Sequence, residues 1–135
     1  MSYNINDLKY VDVGQLCQWI RQGNKTNLGE KLVVVDVRGH DHIGGHIKGS
    51  VNIASSKFVN EMANLKQRME NDEIKIVVFH CAQSQQRGPS AALKFLRYSD
   101  GEFDVRILRG GFIEWQQRYG LDTGLTSGYI KDLWM

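Results

Sequence analysis

The chain has 135 residues, about the length of one compact domain, since domains usually run ~100–200 residues. It is 41% hydrophobic and 24% charged, an ordinary globular composition that argues against intrinsic disorder. Its 17 Lys and Arg against 15 Asp and Glu leave a net charge of +2, which is too balanced for a protein whose main partner is nucleic acid. We therefore expect a single domain over residues 1–135.

The predicted elements alternate between strands and helices. β-branched runs typical of buried parallel strands lie at 32–36 (LVVVD) and 76–80 (IVVFH). Shorter strands are predicted at 9–11, 51–53 and 104–108. Apolar side chains at helical spacing predict helices at 13–23 (capped by Asp12), 56–70, 88–98 and 111–119. The alternation indicates an α/β domain with a mainly parallel sheet, in which ligands bind beyond the carboxyl ends of the strands.

The sequence also bears on the cellular compartment. The longest apolar stretch covers residues 32–35, far short of the ~20 residues that a membrane span requires. The first ten residues lack the apolar segment of a signal peptide. Two cysteines, Cys17 and Cys81, are too few for the disulfide framework of a small secreted domain. We expect no membrane partner, reduced thiols and a cytoplasmic location, with the nucleus left open as a second one.

The segment after the 76–80 strand carries the candidate chemistry. The strand ends at His80, a loop runs from Cys81 to Arg87, and a helix begins. Backbone amides at a helix N-terminus bind anions, and the same field favours the thiolate of Cys81. Arg87 can bind two oxygens of a phosphate-like oxyanion. Ser84 is a candidate to hydrogen-bond the thiolate or the oxyanion. The predicted substrate-binding residues are Ala82, Gln83, Ser84, Gln85, Gln86 and Arg87.

From its residues alone, this loop has three interpretations. Cys81 is a nucleophile above an anion cradle, or the loop is a non-catalytic phospho-binding site, or the cysteine is an ordinary packed core residue. A binding loop needs Arg87 but not the thiolate, so Cys81→Ser distinguishes the first two interpretations. The strand before the cysteine and Gly88 and Pro89 after the loop favour catalysis.

Three motifs resemble one superfamily. HCAQSQQRGP (80–89) is similar to the active-site stretch of the cell-division-cycle-25 type phosphatases, HC-x(5)-RxP. VVVDVRGHDHIGGHIKGSVNI (33–53) resembles a segment that those phosphatases share with rhodaneses, and LRGGFIEW (108–115) resembles the closing motif of rhodanese-like domains. The resemblance implies a rhodanese-like fold, with a five-stranded mainly parallel sheet flanked by helices. It also implies a metal-free, cysteine-based phosphatase of the protein tyrosine or dual-specificity type.

The resemblance assigns roles residue by residue. It implies that Cys81 and Arg87 are catalytic and that His80 and Asp36 support the loop. The loop is one residue longer than in rhodaneses, which disfavours sulfur transfer. The large cell-cycle phosphatases have acids where this chain has Ala82 and Gln86, so no loop acid is available to protonate the leaving group. Their cell-cycle substrate is not carried over. The nearest acids, Asp41 and Glu114, are expected to be solvated surface carboxylates.

Arsenate reductases of fungi and plants are a second group of small proteins that this chain resembles. That resemblance implies attack of Cys81 on arsenate, with glutathione and glutaredoxin completing the reduction. These enzymes need no second nearby cysteine, and Cys17 is expected to pack on the apolar face of the first helix. The phosphatase is the leading hypothesis and the arsenate reductase the alternative. The expected partner is accordingly a phosphorylated protein, or a small phosphate or arsenate, together with glutaredoxin in the second case.

Several other polar residues receive structural interpretations. His40, Asp41, His42 and His46 form a cluster that could be taken for a metal site, but no second ligand pair accompanies it, so no metal is expected. His46 is expected to have a hydrogen-bonded structural role. Asp36 and Arg38 could form an ion pair at the strand end, but Asp36 is expected instead to anchor neighbouring backbone amides. His80 is expected to hydrogen-bond the loop backbone.

Overall fold

A computed structural model describes residues 3–134 of the protein, so residues 1, 2 and 135 of the predicted domain lie outside it. The strands are β1 (Lys9–Val11), β2 (Lys31–Asp36), β3 (His46–Ile47), β4 (Val51–Asn52), β5 (Ile74–His80), β6 (Asp104–Leu108) and β7 (Thr126–Ser127). Five of them form a parallel sheet in the order β1-β6-β5-β2-β4. This confirms the predicted five-stranded α/β sheet.

The helices are α1 (Val13–Arg21), α2 (Phe58–Asn71), α3 (Arg87–Ser99) and α4 (Gly111–Tyr119). Asp12 caps α1 as predicted, since its carboxylate accepts a hydrogen bond from the Gln15 N–H at 2.7 Å. Helix α1 ends before the predicted boundary because Gly23, at φ 81°, lies in the left-handed region. None of the helices within residues 3–134 is long and apolar enough to cross a bilayer.

The core lies on both faces of the main sheet. Along β2, Val33 and Val35 pack with α2 and α3 residues, whereas Leu32 and Val34 pack with α1 and α4 residues. Successive side chains of a strand point to opposite faces, so a strand covered on both faces must be apolar at every position. This explains why LVVVD and IVVFH are uninterrupted β-branched runs rather than alternating ones.

The topology brings two connections together at one edge of the sheet. Strands β2 and β5 are parallel neighbours, and Asp36 at the end of β2 is in register with His80 at the end of β5. The segment 37–45 and the loop 81–87 therefore leave the sheet side by side. The short antiparallel β3–β7 ribbon was not predicted, because two-residue strands carry no hydrophobic period.

The C-terminal segment packs against the first of these connections. Trp134 donates a hydrogen bond from Nε1 to the Gly44 carbonyl at 2.9 Å, and its ring centroid lies 5.3 Å from that of Phe112. The aromatic end of the chain thus helps to fix the segment that lies beside the loop 81–87.

Candidate active site

Cys81 lies at the carboxyl end of β5, and the start of α3 faces its sulfur. The residue is 3% exposed, and the Gly88 N–H donates to Sγ at 3.4 Å. Gly88 belongs to the first turn of α3, where backbone N–H groups have no partner within the helix. The sequence-based expectation that this cysteine meets a helix N-terminus is confirmed.

The start of α4 holds the loop by its carbonyl groups, which leaves the loop N–H groups without a protein partner. The Cys81 carbonyl accepts from the Phe112 N–H at 3.0 Å, and the Ala82 carbonyl accepts from the Ile113 N–H at 2.9 Å. Since a trans peptide places its N–H opposite its C=O, the amides of Ala82 and Gln83 are turned away from α4. Within residues 3–134, the N–H groups of 82–86 donate to no protein acceptor. They are available to an anion.

Gly111 makes this arrangement possible at the start of α4. Its φ is 61°, and a Cβ at this position would lie 2.6 Å from the Cys81 carbonyl oxygen and closer still to that of Ala82. Only glycine fits both the left-handed conformation and the close approach. In the sequence, the LRGGF motif carried only part of the family resemblance. Its contact with the loop, some thirty positions away in sequence, was missed.

Ser84 turns the loop rather than contacting the sulfur. Its φ of 57° lies in the left-handed region, which is uncommon for a residue other than glycine. Such a residue among helical or turn neighbours directs successive N–H groups into one concavity, a common form of anion site. Its Oγ is buried and has no hydrogen-bond partner within residues 3–134, so the predicted bond to the thiol is not formed. The candidate bond to an oxyanion stays a prediction.

His80 supports the loop from below, as predicted. Its Nδ1 lies 3.1 Å from the Cys81 carbonyl oxygen, and a carbonyl only accepts, so Nδ1 carries the proton. Complete burial of the ring lowers the pKa of His80 from its ordinary value and favours the neutral form. The Cys81 carbonyl is therefore bound both by this imidazole and by the N-terminus of α4, which fixes the first peptide of the loop.

A buried ion pair organises the neighbouring segment. Arg38 and Asp36 are both fully buried, with Nη2 and Oδ2 2.6 Å apart. Burial opposes ionisation of the carboxyl, but the neighbouring His80 and the hydrogen bonds and charge of Arg38 together hold the pKa of Asp36 below its ordinary value. Asp36 also accepts the Arg38 N–H at 3.0 Å, so the predicted backbone anchor is present together with the ion pair. Arg38 in turn donates to the carbonyls of Gly45 (2.9 Å) and Asp41 (3.2 Å).

Asp41 is not a free surface carboxylate, and the prediction that it is only solvated was wrong. Its two carboxylate oxygens accept from Nη1 and Nη2 of Arg87 at 2.9 and 2.7 Å. The bonds from Arg87 lower the pKa of Asp41 to about 2, and the same bonds raise the pKa of Arg87. The sequence signal for this contact was the place of Asp41 in the segment 37–45. The fold of that segment depends on the hydrogen bonds from Arg38 to the Gly45 and Asp41 carbonyls.

The loop opens on a cavity of ≈ 350 Å³. It is lined by Cys81, Ala82, Gln83, Gln85, Gln86, Arg87 and Ile113. A second cavity, of ≈ 300 Å³, adjoins it and shares Gln86 and Arg87, with Lys94 and the hydroxyl-bearing Ser55, Ser56 and Ser90 in its wall. The sulfur, most of the predicted binding residues and the arginine thus surround one space, and the second cavity leaves room for a larger substrate beside it.

The remaining candidate residues lie elsewhere. Cys17 is buried on the apolar face of α1, as predicted. Glu114 lies in the first turn of α4 and does not line the cavity. His42 bonds the Gly39 carbonyl at 2.9 Å within a short turn, and His46 lies in β3. Within residues 3–134, no group of three or more metal-ligating side chains converges.

Comparison with known proteins identifies the family. The rhodanese-like domain family matches residues 21–118. A CDC25-like phosphatase of Saccharomyces cerevisiae is 42% identical, over 98% of this chain and 98% of its own length. The chain belongs to the rhodanese-like family. Within that family, an arsenate reductase of Oryza sativa is 35% identical over 81% of this chain and 82% of its own length.

The solved structures agree with this rhodanese-like assignment. A yeast protein described as a protein tyrosine phosphatase of the rhodanese family superposes with a TM-score of 0.87. It is 40% identical, and the match covers 99% of this chain and 100% of the yeast one. The fold and the family resemblance that the three motifs implied are therefore confirmed.

Proposed function

We propose that this protein is a cysteine-dependent phosphatase that hydrolyses phosphate monoesters through a phosphocysteine intermediate. The observation that carries the proposal is the position of Cys81, which lines a cavity together with Arg87 and beside loop amides that have no acceptor within residues 3–134. A thiolate in such a cradle is a nucleophile next to preorganised donors for the oxygens of the transition state. The relatives named as phosphatases support this assignment.

The geometry suggests how the steps proceed. The Cys81 sulfur attacks phosphorus in line, so that an S–P bond forms as the bond between phosphorus and the leaving oxygen breaks. The loop amides and Arg87 bind the three non-bridging oxygens. Water then attacks phosphorus, which releases inorganic phosphate and restores the thiolate. Each step moves negative charge within the cradle, where fixed dipoles stabilise it without reorganisation.

The residues of the cavity favour aryl substrates. The residues that line it include no carboxylic acid, and Ala82 and Gln86 cannot donate the proton that the leaving oxygen needs. Asp41 lies beside Arg87, but its pKa of about 2 leaves it ionised and unable to donate a proton. Without an acid that can donate, the rate depends on how readily the leaving group departs as an anion. A phenol such as that of tyrosine, with a pKa of about 10, leaves far more readily than an alkanol. Phosphotyrosine-type substrates therefore suit this site best, whether in a protein or in a small molecule.

Arsenate reduction is the second candidate, because arsenate is tetrahedral and anionic like phosphate and a rice relative is named as an arsenate reductase. The thiolate would attack arsenate with loss of water, and glutathione and glutaredoxin would supply the electrons. The other cysteine, Cys17, is buried on the inner face of α1 and does not line the cavity, so electrons would come from outside the chain. A cytoplasmic or nuclear location, where thiols stay reduced, suits either activity.

The test is hydrolysis of para-nitrophenyl phosphate by the reduced protein. We expect turnover in the wild type, none in Cys81→Ser, and a large loss in Arg87→Lys, since lysine cannot bind two oxygens at once. Cys17→Ser is the matched control and should retain turnover. No wild-type activity above the Cys81→Ser background would overturn the proposal. Arsenate reduction coupled to glutathione and glutaredoxin would then be measured, and anion binding that survives in Cys81→Ser without any turnover would indicate a phospho-binding module.

A further inference from the structure

The Asp41–Arg87 ion pair leaves part of the guanidinium unused. Arginine has five N–H donors, and Asp41 accepts one from each of the two terminal nitrogens. Within residues 3–134, no oxygen accepts from the Arg87 Nε–H, and the Cys81 side chain is the other group that hydrogen-bonds to this arginine. One edge of the guanidinium is thus held by a carboxylate, while the edge formed by Nε and a terminal nitrogen can still bind two oxygens of a second anion.

Arg87 lies beside Cys81 in the active-site cavity. Arg87 lines this cavity together with Cys81, and the charge of the nearby sulfur is one of the causes that raise the pKa of Arg87. A flexible arginine at the start of α3 would sample many rotamers, and fixing one of them on ligand binding costs entropy. A partner that holds the guanidinium in place before the ligand arrives removes part of that cost.

Asp41 is itself held firmly in position. Its Oδ1 accepts the Gly39 N–H at 3.1 Å, and its carbonyl accepts from Arg38 at 3.2 Å. Arg38 is fully buried and paired with Asp36 at the end of β2. A continuous chain of contacts therefore links the end of β2 to the arginine at the end of the loop that follows β5.

We propose that Asp41 is a positioning residue of the active site, which orients Arg87 so that its free edge faces the oxyanion in the cavity. This inference rests on the proposed anion site and goes beyond it, because it assigns a role to a residue outside the loop. Asp41 touches no reacting atom and acts only through Arg87. Its removal should therefore weaken oxyanion binding, and the loss should disappear when Arg87 is absent.

The experiment is a double-mutant cycle in the Cys81→Ser background, which separates binding from turnover. Affinity for phenyl phosphate is measured by calorimetry for that parent, for Asp41→Asn, for Arg87→Ala and for the combination. Asparagine keeps an oxygen for the Gly39 N–H but removes the charge and the two-point pairing. We expect Asp41→Asn to weaken binding about three- to tenfold, with no further loss in the Arg87→Ala background.

Asp72→Asn is the matched control, since Asp72 is an exposed carboxylate paired with Arg68 beyond the opposite end of β5. It removes the same charge and should leave affinity unchanged. Tighter or unchanged binding by Asp41→Asn would overturn the inference, and so would an equal loss in the Arg87→Ala background, which would indicate a disturbed loop. No binding by the parent would overturn both the anion site and this inference. An Asp41 effect on binding with no wild-type turnover would overturn only the phosphatase.

Discussion

The two arginine–aspartate pairs beside the active site have nearly the same contact distance and opposite surroundings. In the Asp36–Arg38 pair, the nearest atoms are 2.6 Å apart and both side chains are buried. In the Asp41–Arg87 pair they are 2.7 Å apart, but the arginine is 38% and the aspartate 44% exposed. The two aspartates lie five positions apart, on a segment that starts inside the sheet and ends at the mouth of the cavity.

Burial decides what each pair can do. A buried pair cannot lose one partner without leaving an uncompensated charge, so Arg38 is committed to the fold of the segment 37–45. An exposed pair contributes little to stability, because water screens the charges and would solvate each partner alone. Arg87 therefore remains free to engage a ligand. Aspartate and arginine thus form a structural anchor in the buried pair and part of a binding site in the exposed pair.

The largest expected effect tests this contrast directly. Arg38→Met leaves Asp36 charged and buried, and should lower the free energy of unfolding by about 3–5 kcal/mol. Arg87→Met should lower it by no more than about 1 kcal/mol, while abolishing turnover. Urea denaturation of the two variants and the wild type gives both values. Equal losses of stability in the two variants would show that the buried pair contributes no more to folding than the exposed pair.

The next effect concerns the contact between α4 and the loop. In Gly111→Ala, the Cβ would collide with the Cys81 and Ala82 carbonyls, so the loop amides must shift. Because small displacements in a catalytic site reduce rates steeply, we expect a loss in kcat/KM of about 10–100-fold.

Gly29→Ala is the matched control for this substitution. Gly29 also has a positive φ, of 82°, but a Cβ there meets nothing within 4 Å. Both variants should lose about 1–2 kcal/mol of stability from backbone strain. Gly111→Ala should lose more than this because its Cβ also meets the two carbonyls, and only Gly111→Ala should lose activity. Normal kcat/KM in Gly111→Ala would refute the claim that this helix start positions the loop.

The sequence predicted those parts of the protein that depend on local pattern. The β-branched runs of β2 and β5 and the helical spacing in α1 to α4 gave the α/β sheet, and the strand–loop–helix order placed Cys81 at a helix N-terminus. Asp41 was misjudged because it meets Arg87 only after Arg38 has folded the segment 37–45 through hydrogen bonds to backbone carbonyls. Such bonds do not show in the spacing of residues along the sequence. The contact of Gly111 with Cys81 was also missed, because it joins two loops that lie far apart in the chain.

The smallest expected effect concerns His80, which lies 3.9 Å from Asp36 and links the buried pair to the loop. Burial lowers its pKa below the ordinary 6.5, so the unfolded chain takes up a proton at a pH where the folded protein does not. Stability should therefore fall as the pH drops below 6.5, by up to about 1.4 kcal/mol per pH unit until the folded imidazole is also protonated.

His80→Asn keeps a donor but cannot titrate, and should flatten this slope. Urea midpoints at several pH values measure it, with His40→Asn on the exposed turn as control. Parallel slopes for His80→Asn and the wild type would mean that His80 charges in place, and that the loop is supported by an imidazolium paired with Asp36.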